Sequence, residues 1–494
     1  MISANRKNNK ALSLRSILLA DTGSWKIWIL LALLVKGILF CLMTHFNPPG
    51  SISGFIGQTS GDTDGYLLPI EQFISNGKYL SAHRMPGYGI IYLPLKCFFS
   101  KSTALNLLVV FQFIAAAVSV YVLGLIADYL FRDKKYFYVV FYLFLFIPFS
   151  NFYDYMILTE SFTISFLVFG VFFFLKAIQS RNWLLYFISG VFFTEVIFLR
   201  PVFAPLLLFF FLIISINNLQ GLKYRIVNSL IFLSSFLVAE TIWINHNFKT
   251  HHKLQVLMDS FLGDEHKDDY YKPVLAFMQS WGGNYLTWKE GTPVRFFGVG
   301  VKEVDRQLDS LVEKENITMP GYIYTSQFNY DSLLKIRIAI SEIKRNETGP
   351  WGEARKNNEN YVKNRLNRYT RSIKEEKPFL FYLKSRLALC KQFFISTRAR
   401  NPFSRIASIR LITSYLYFAT LVLGFTGLFL LIKELKKNKN VIIVHGIILY
   451  TFLIHHVILK LNENRFLLPA FPFIILSAGY MLSRVVDRFK EIKR

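Results

Sequence analysis

Apolar residues arrive along this chain in blocks of about 20, the length an α-helix needs to cross roughly 30 Å of hydrocarbon at 1.5 Å per residue. Ten such blocks are expected to be spans, near 27–46, 105–131, 136–152, 155–177, 183–199, 201–217, 224–244, 407–433, 440–460 and 466–485. A break is expected at Arg200-Pro201, because proline removes a helix donor and disfavours helix at the residue before it. Two shorter apolar stretches, near 67–80 and 87–100, are too short to cross and fit helices lying in the interface. Residues 245–406 break the pattern. They form an external insertion rich in Lys, Arg, Asn and Tyr, with amphipathic spacing over 301–316, 330–346 and 353–394.

Composition fits this pattern. Of 494 residues, 53% are hydrophobic and only 18% charged, too apolar for a soluble globule of this size. The formal charge of +25 does not point to nucleic acid, because many basic residues flank the apolar blocks, as orientation signals do. With the N-terminus cytoplasmic and spans counted alternately, every short basic loop falls inside: Arg132/Lys134/Lys135, Lys176/Arg181, Lys223/Arg225 and Lys433/Lys436/Lys437/Lys439. The expected division is a cytoplasmic tail 1–26, a transmembrane core 27–244 with a first external loop 47–104, an external domain 245–406, and C-terminal spans with a basic tail, 407–494. The first span is expected to be retained, not cleaved as a signal peptide. Cys41, Cys97 and Cys390 give neither a disulfide framework nor a metal spacing. Asn316-Ile317-Thr318 and Asn346-Glu347-Thr348 match the glycosylation sequon, a frequent chance match.

This topology gathers unusual polar residues on the external side. Gly61-Asp62-Thr63-Asp64-Gly65-Tyr66 and His83-Arg84-Met85-Pro86-Gly87-Tyr88 lie in the first loop. Asp154 and Glu160 fall around the outer end of the fourth span, Arg200 at that of the fifth, and Glu240, Asn245 and His246 where the seventh exits. Glu463-Asn464-Arg465 forms the last external turn. Ionisable groups bordering spans are costly and tend to face a bundle interior or a watery cavity, so an external-facing site is expected, with the middles of the spans nearly charge-free. The bland readings are a Gly-rich turn for Asp62 and Asp64, a snorkelling anchor for Arg84, a helix cap for Arg200, and a local pair for Glu463 and Arg465. Asp154, Glu195 and Glu240 fit packing better than catalysis, and His83 and His246 are more often structural.

The order Asp62-x-x-x-Tyr66, Arg84-x-Pro86-Gly87-Tyr88, Thr159-Glu160 on the fourth span, Arg200-Pro201, and Glu463-x-Arg465-Phe466-x-Leu468-Pro469 resembles the GT-C glycosyltransferases. The branch it resembles most comprises bacterial relatives of the protein O-mannosyltransferases and lipid A aminoarabinose transferases (family 39-like). The resemblance implies an all-α polytopic membrane fold, a GT-C-like bundle of about ten transmembrane helices with interfacial helices in the first external loop and a mostly helical external insertion. It also implies transfer of a sugar from a polyprenyl-phosphate donor to a glycan, lipid or protein acceptor on the external face of a bilayer, that of a bacterial inner membrane. Asp62 matches the family acid by its spacing of four from Tyr66, and Asp64 stands where the family pattern differs. Arg84, Arg200 and Arg465 are the expected phosphate ligands, with Tyr66 and Glu463 beside them and Glu160, His83 and Tyr88 as further site residues. The chemistry agrees independently: inversion needs a carboxylate near the acceptor hydroxyl, and guanidinium groups suit a phosphate leaving group. No cofactor is required on this reading, and a divalent metal is optional. The rivals are a flippase of lipid-linked sugars, with charges spread through its spans and internal repeats, and a non-catalytic assembly factor.

Overall fold

The computed structural model describes residues 25–46, 52–60, 62–81, 84–216, 221–258, 270–283, 296–297, 319–345, 353–394, 407–459 and 464–492. His83, Glu463, the expected helix over 301–316 and both sequons lie outside the described residues. The described chain is helical, with no strand; one isolated parallel bridge joins Gln58 and Met156. It forms two compact units, one of Met1–Asp259, Arg400–Thr451 and Leu467–Arg494, the other of Ser260–Ala399 and Phe452–Phe466.

The first unit is an all-α, polytopic membrane bundle. Its helices are α1 (Trp25–Phe46), α2 (Thr63–Asn76), α3 (Gly87–Phe98), α4 (Lys101–Phe131), α5 (Lys134–Phe146), α6 (Thr159–Ser180), α7 (Trp183–Leu199), α8 (Ala204–Ile216) and α9 (Leu222–His251). Seven helices among the described residues are long and apolar enough to cross a membrane, and the bent pair Lys134–Phe146 with Pro148–Tyr155 makes eight. The remaining two expected spans are the shorter apolar helices Trp183–Leu199 and Pro201–Ile216. Both irregularities have the same cause. Ile147 (ψ 118°) and Arg200 (ψ 91°) precede prolines and are driven out of the helical region. The two short first-loop stretches are the helices α2 and α3, 14 and 12 residues long.

Within the bundle α6 packs on α7, α7 on α9, and α4 on α1, α5 and α6. After the second unit the chain returns as α14 (Ala407–Leu431), α15 (Ile442–Phe452) and α16 (Phe471–Ile492). Helices α14 and α16 lie so close that a Cβ on Gly427 would strike the Ser477 carbonyl, the small-residue contact by which helices approach in lipid.

The second unit holds α10 (Tyr271–Ser280), α11 (Tyr330–Arg345), α12 (Glu353–Glu376) and α13 (Ser385–Phe394). Leu333, Ile336, Ile340 and Ile343 on α11, with Val362, Leu366, Tyr369 and Ile373 on α12, make the buried stripes of its core. Their three- and four-residue spacing is the amphipathic signal read from sequence. Phe328 stacks on Tyr369 with ring centroids 4.5 Å apart.

Candidate active site on the first external loop

Asp62 sits at the residue before α2. A tight turn precedes it: the Asp62 N–H donates to Ser60 Oγ at 3.2 Å, and the Ser60 N–H donates to Thr63 Oγ1 at 2.8 Å. The buried Thr63 hydroxyl in turn donates to the Ile157 carbonyl at 2.9 Å, tying the turn to the start of α6. The Asp62 side chain does not cap α2. Instead Oδ1 faces Arg84, 3.6 Å from its Nη2, with both side chains about 30% exposed (31% and 28%). Asp64, one position into the helix, is exposed and has no ion pair among the described residues. The two acids are therefore different: Asp62 shares its surroundings with a guanidinium, and Asp64 points to solvent.

Arg84 is held at several points. Nη1 donates to the Tyr66 hydroxyl at 3.1 Å, and the guanidinium lies 4.6 Å from the Tyr66 ring centroid, an attraction to the ring face. Its N–H donates to Ser81 Oγ at 3.1 Å and its carbonyl accepts the Tyr79 hydroxyl at 2.9 Å. Burial pushes the Tyr79 phenol well up, against the opposing pull of Arg84, so it stays a donor. The end of α9 supports this loop. His246 Nε2 is 2.9 Å from the Tyr79 carbonyl, and Trp243 lies edge-on to Tyr79 and stacks on His246. Glu240 Oε1 accepts the Leu257 N–H at 2.6 Å while Trp243 Nε1 donates to the Leu257 carbonyl at 2.5 Å. They clamp a residue in the left-handed region (φ 59°) that leucine seldom adopts. His246 and Glu240 thus have structural work in this unit.

Tyr88 links the loop to the bundle. Its hydroxyl donates to Gln112 Oε1 at 2.5 Å, and Gln112 Nε2 donates to the carbonyls of Asp154 and Met156 at 3.2 and 2.8 Å. Burial raises the Tyr88 phenol well above its ordinary value, with Tyr66 and Glu160 adding to the effect. At the start of α3, Gly87 touches the end of α7: a Cβ there would lie 2.5 Å from the Phe198 carbonyl carbon and 2.6 Å from the Leu199 nitrogen. This contact brings the Arg-x-Pro-Gly-Tyr turn beside Arg200. Arg200 Nη2 pairs with Glu160 Oε1 at 2.5 Å, and Nε donates to Thr159 Oγ1 at 3.2 Å. Glu160 lies in the first turn of α6, where the helix dipole favours a negative charge.

The first unit thus brings together Asp62, Tyr66, Arg84 and Tyr88, with Glu160 and Arg200 reached through Thr63–Ile157 and Gly87–Phe198. Arg465 belongs to the second unit, its guanidinium 5.3 Å from the Phe466 ring centroid. No set of three or more His, Cys, Asp or Glu side chains suited to a metal occurs among the described residues.

Sequence reasoning missed Lys36. It lies near the middle of α1 and is buried, with Nζ 2.6 Å from both Asp154 Oδ2 and Asn151 Oδ1. The expectation of spans nearly charge-free at their middles fails there. A lysine inside a 20-residue apolar block is itself the signal that marks a buried partner. Gln58, Gln112 and Asn151 carried no such signal.

No protein-family model matches the sequence, and no curated protein matches it. Among solved structures it is similar to the apo oligosaccharyltransferase of Archaeoglobus fulgidus, at 12% identity and a TM-score of 0.47, over 95% of this chain and 52% of that one. It is also similar to the archaeal oligosaccharyltransferase AglB from Archaeoglobus fulgidus in complex with an inhibitory peptide and a dolichol-phosphate. Identity there is 12% and the TM-score 0.46, over 95% of this chain and 51% of that one. The chain spans about half the length of these proteins.

Proposed function

We propose that this chain is a membrane glycosyltransferase of GT-C type that moves a sugar from a polyprenyl-phosphate donor to an acceptor hydroxyl on the external face of its bilayer. The observation that carries the reading is the 3.6 Å approach of Asp62 to Arg84 beside Tyr66, in the loop whose sequence motifs resemble that family. A carboxylate and a guanidinium side by side are what an inverting transfer from a lipid phosphate needs. The acceptor oxygen attacks the anomeric carbon and its proton passes to the Asp62 carboxylate. The bond from that carbon to the phosphate oxygen breaks, and the phosphate keeps the electron pair. Arg84, and Arg200 at the end of the helix that the Arg84 turn touches, stabilise the charge that develops there. General-base help of this kind contributes about 10²–10⁴-fold.

Asp64, exposed at the same turn, is the second acid of the loop. The basic loops favour a site facing away from the cytoplasm; the family resemblance adds a bacterial inner membrane, where that face is periplasmic and the carrier is undecaprenyl-based. A divalent metal is not needed by this scheme.

The transporter reading has one observation in its favour, the charged Lys36 within a span. Purified protein with a panel of radiolabelled polyprenyl-phosphate sugars and total membrane acceptors separates the two. The enzyme moves label into acceptor in detergent, where no membrane divides two compartments. Label that changes sides of a vesicle but never leaves its carrier would establish transport instead.

A further inference from the structure

We propose that Lys36, through its ion pair with Asp154, is a positioning residue that sets where Asp62 stands; this rests on the reading of Asp62 as the base. Lys36 is 4% exposed and Asp154 6%. An ammonium taken into a bundle interior loses several kcal/mol of hydration and needs good partners. Here it has two, Asp154 and Asn151, each at 2.6 Å. The second oxygen of Asp154 accepts the Ser161 hydroxyl at 2.8 Å. One carboxylate therefore joins α1 to the first turn of α6, across the break between α5 and α6.

The break is also where the first external loop docks. The Gln58 N–H donates to the Tyr155 carbonyl at 2.9 Å, and the Ile157 N–H donates to the Gln58 carbonyl at 3.0 Å. The Ile157 carbonyl accepts the Thr63 hydroxyl at 2.9 Å, and Thr63 adjoins Asp62. Gln112 holds the carbonyls of Asp154 and Met156 and ends on Tyr88. The path from Lys36 to Asp62 is therefore an ion pair, two backbone hydrogen bonds on Gln58 and the hydrogen bond from the Thr63 hydroxyl to the Ile157 carbonyl. An apolar pair of similar volume would be about as stable as a buried ion pair. What Lys36 adds is a fixed direction for the Asp154 segment, and through it the register of Gln58 and Thr63.

The test needs a readout of position as well as of turnover. In full-length protein with Cys41, Cys97 and Cys390 replaced by serine, Gln58→Cys and Met156→Cys report the bridge, since paired residues fall within the Cα separation of about 4.4–6.8 Å that a disulfide spans. The variant is Lys36→Met with Asp154→Leu, which removes both charges and leaves no orphan ion to unfold the bundle. At an unchanged thermal midpoint, disulfide yield is expected to fall at least fivefold (an order-of-magnitude expectation for lost register). In a background without the reporter cysteines, kcat falls about 100-fold with donor affinity kept, the effect of moving a reacting group by about 1 Å. Cross-linking and kcat equal to the parent's would overturn the proposal. If the parent transfers no sugar but cross-linking still falls, Lys36 positions the loop and it is the glycosyltransferase reading that fails.

Discussion

Arg84 grips Tyr66 with one arm of its guanidinium and faces Asp62 with the other. Nη1 donates to the Tyr66 hydroxyl at 3.1 Å, and Nη2 stands 3.6 Å from Asp62 Oδ1. A lysine keeps the charge but not the fork, so it cannot hold both groups and also stack on the ring. Arg84→Lys is therefore expected to raise the donor KM about 10- to 100-fold, the equivalent of about 1.5–3 kcal/mol for one hydrogen bond to a charged group. A KM within twofold of wild type would show that the fork is not what binds the donor.

Gly87 gives a prediction about stability. The atoms that a Cβ would meet are backbone atoms of Phe198 and Leu199, which cannot rotate aside. Gly87→Ala should lower stability by about 1–3 kcal/mol, as overpacking does. It should also reduce transfer, since the same turn carries Arg84 and Tyr88. Thermal unfolding in detergent is the check, and an alanine variant as stable as the parent would mean the two helices do not touch there.

The Glu160–Arg200 pair is buried on the glutamate side, at 1% exposure against 11%. Removing either partner leaves the other charge stranded, at a cost of about 3–5 kcal/mol. Glu160→Gln and Arg200→Gln should each lower the unfolding midpoint strongly, and the double variant by much less than their sum. Simple additivity would argue against the pair.

Glu376 supplies the pH dependence. Its carboxylate accepts the Ser326 N–H at 2.7 Å, the Ser372 hydroxyl at 2.7 Å and the Ser326 hydroxyl at 2.9 Å. These bonds hold its pKa below the ordinary 4.5, the Ser326 N–H contributing most. A depressed acid stabilises above its unfolded pKa and loses that contribution as pH falls through the folded value. Exchange of the Ser326 amide in the full chain should therefore accelerate on acidification below 4.5. Glu376→Gln should exchange faster already at neutral pH and lack the acid step. A wild-type amide indifferent to pH, after correction for intrinsic exchange, would refute the assignment.

Much of this architecture is legible in the sequence because it follows from length and period. Among the described residues the ten apolar blocks appear as seven long helices, one bent pair and two shorter helices, and Pro148 and Pro201 make the irregular joints that proline chemistry requires. The amphipathic stripes of α11 and α12 were equally plain. The candidate site was legible as a set of motifs but not as a geometry. Nothing in the spacing of Asp62 and Asp64 says which faces Arg84, because that depends on the Ser60–Thr63 turn and the Thr63–Ile157 hydrogen bond. The Gln58, Gln112 and Asn151 contacts are long-range and made by residues ordinary on any surface. Lys36 was readable and overlooked, since its apolar neighbours mask one charge in any average over a span.

The central claim is that Asp62 takes the acceptor proton, and sugar transfer by purified wild type, Asp62→Asn and Asp64→Asn tests it most directly. Asparagine keeps the shape of the side chain and removes the base. The account predicts that Asp62→Asn loses about 10²–10⁴-fold in kcat while still binding donor and unfolding at the wild-type temperature, and that exposed Asp64→Asn loses much less. Full turnover by Asp62→Asn would contradict it.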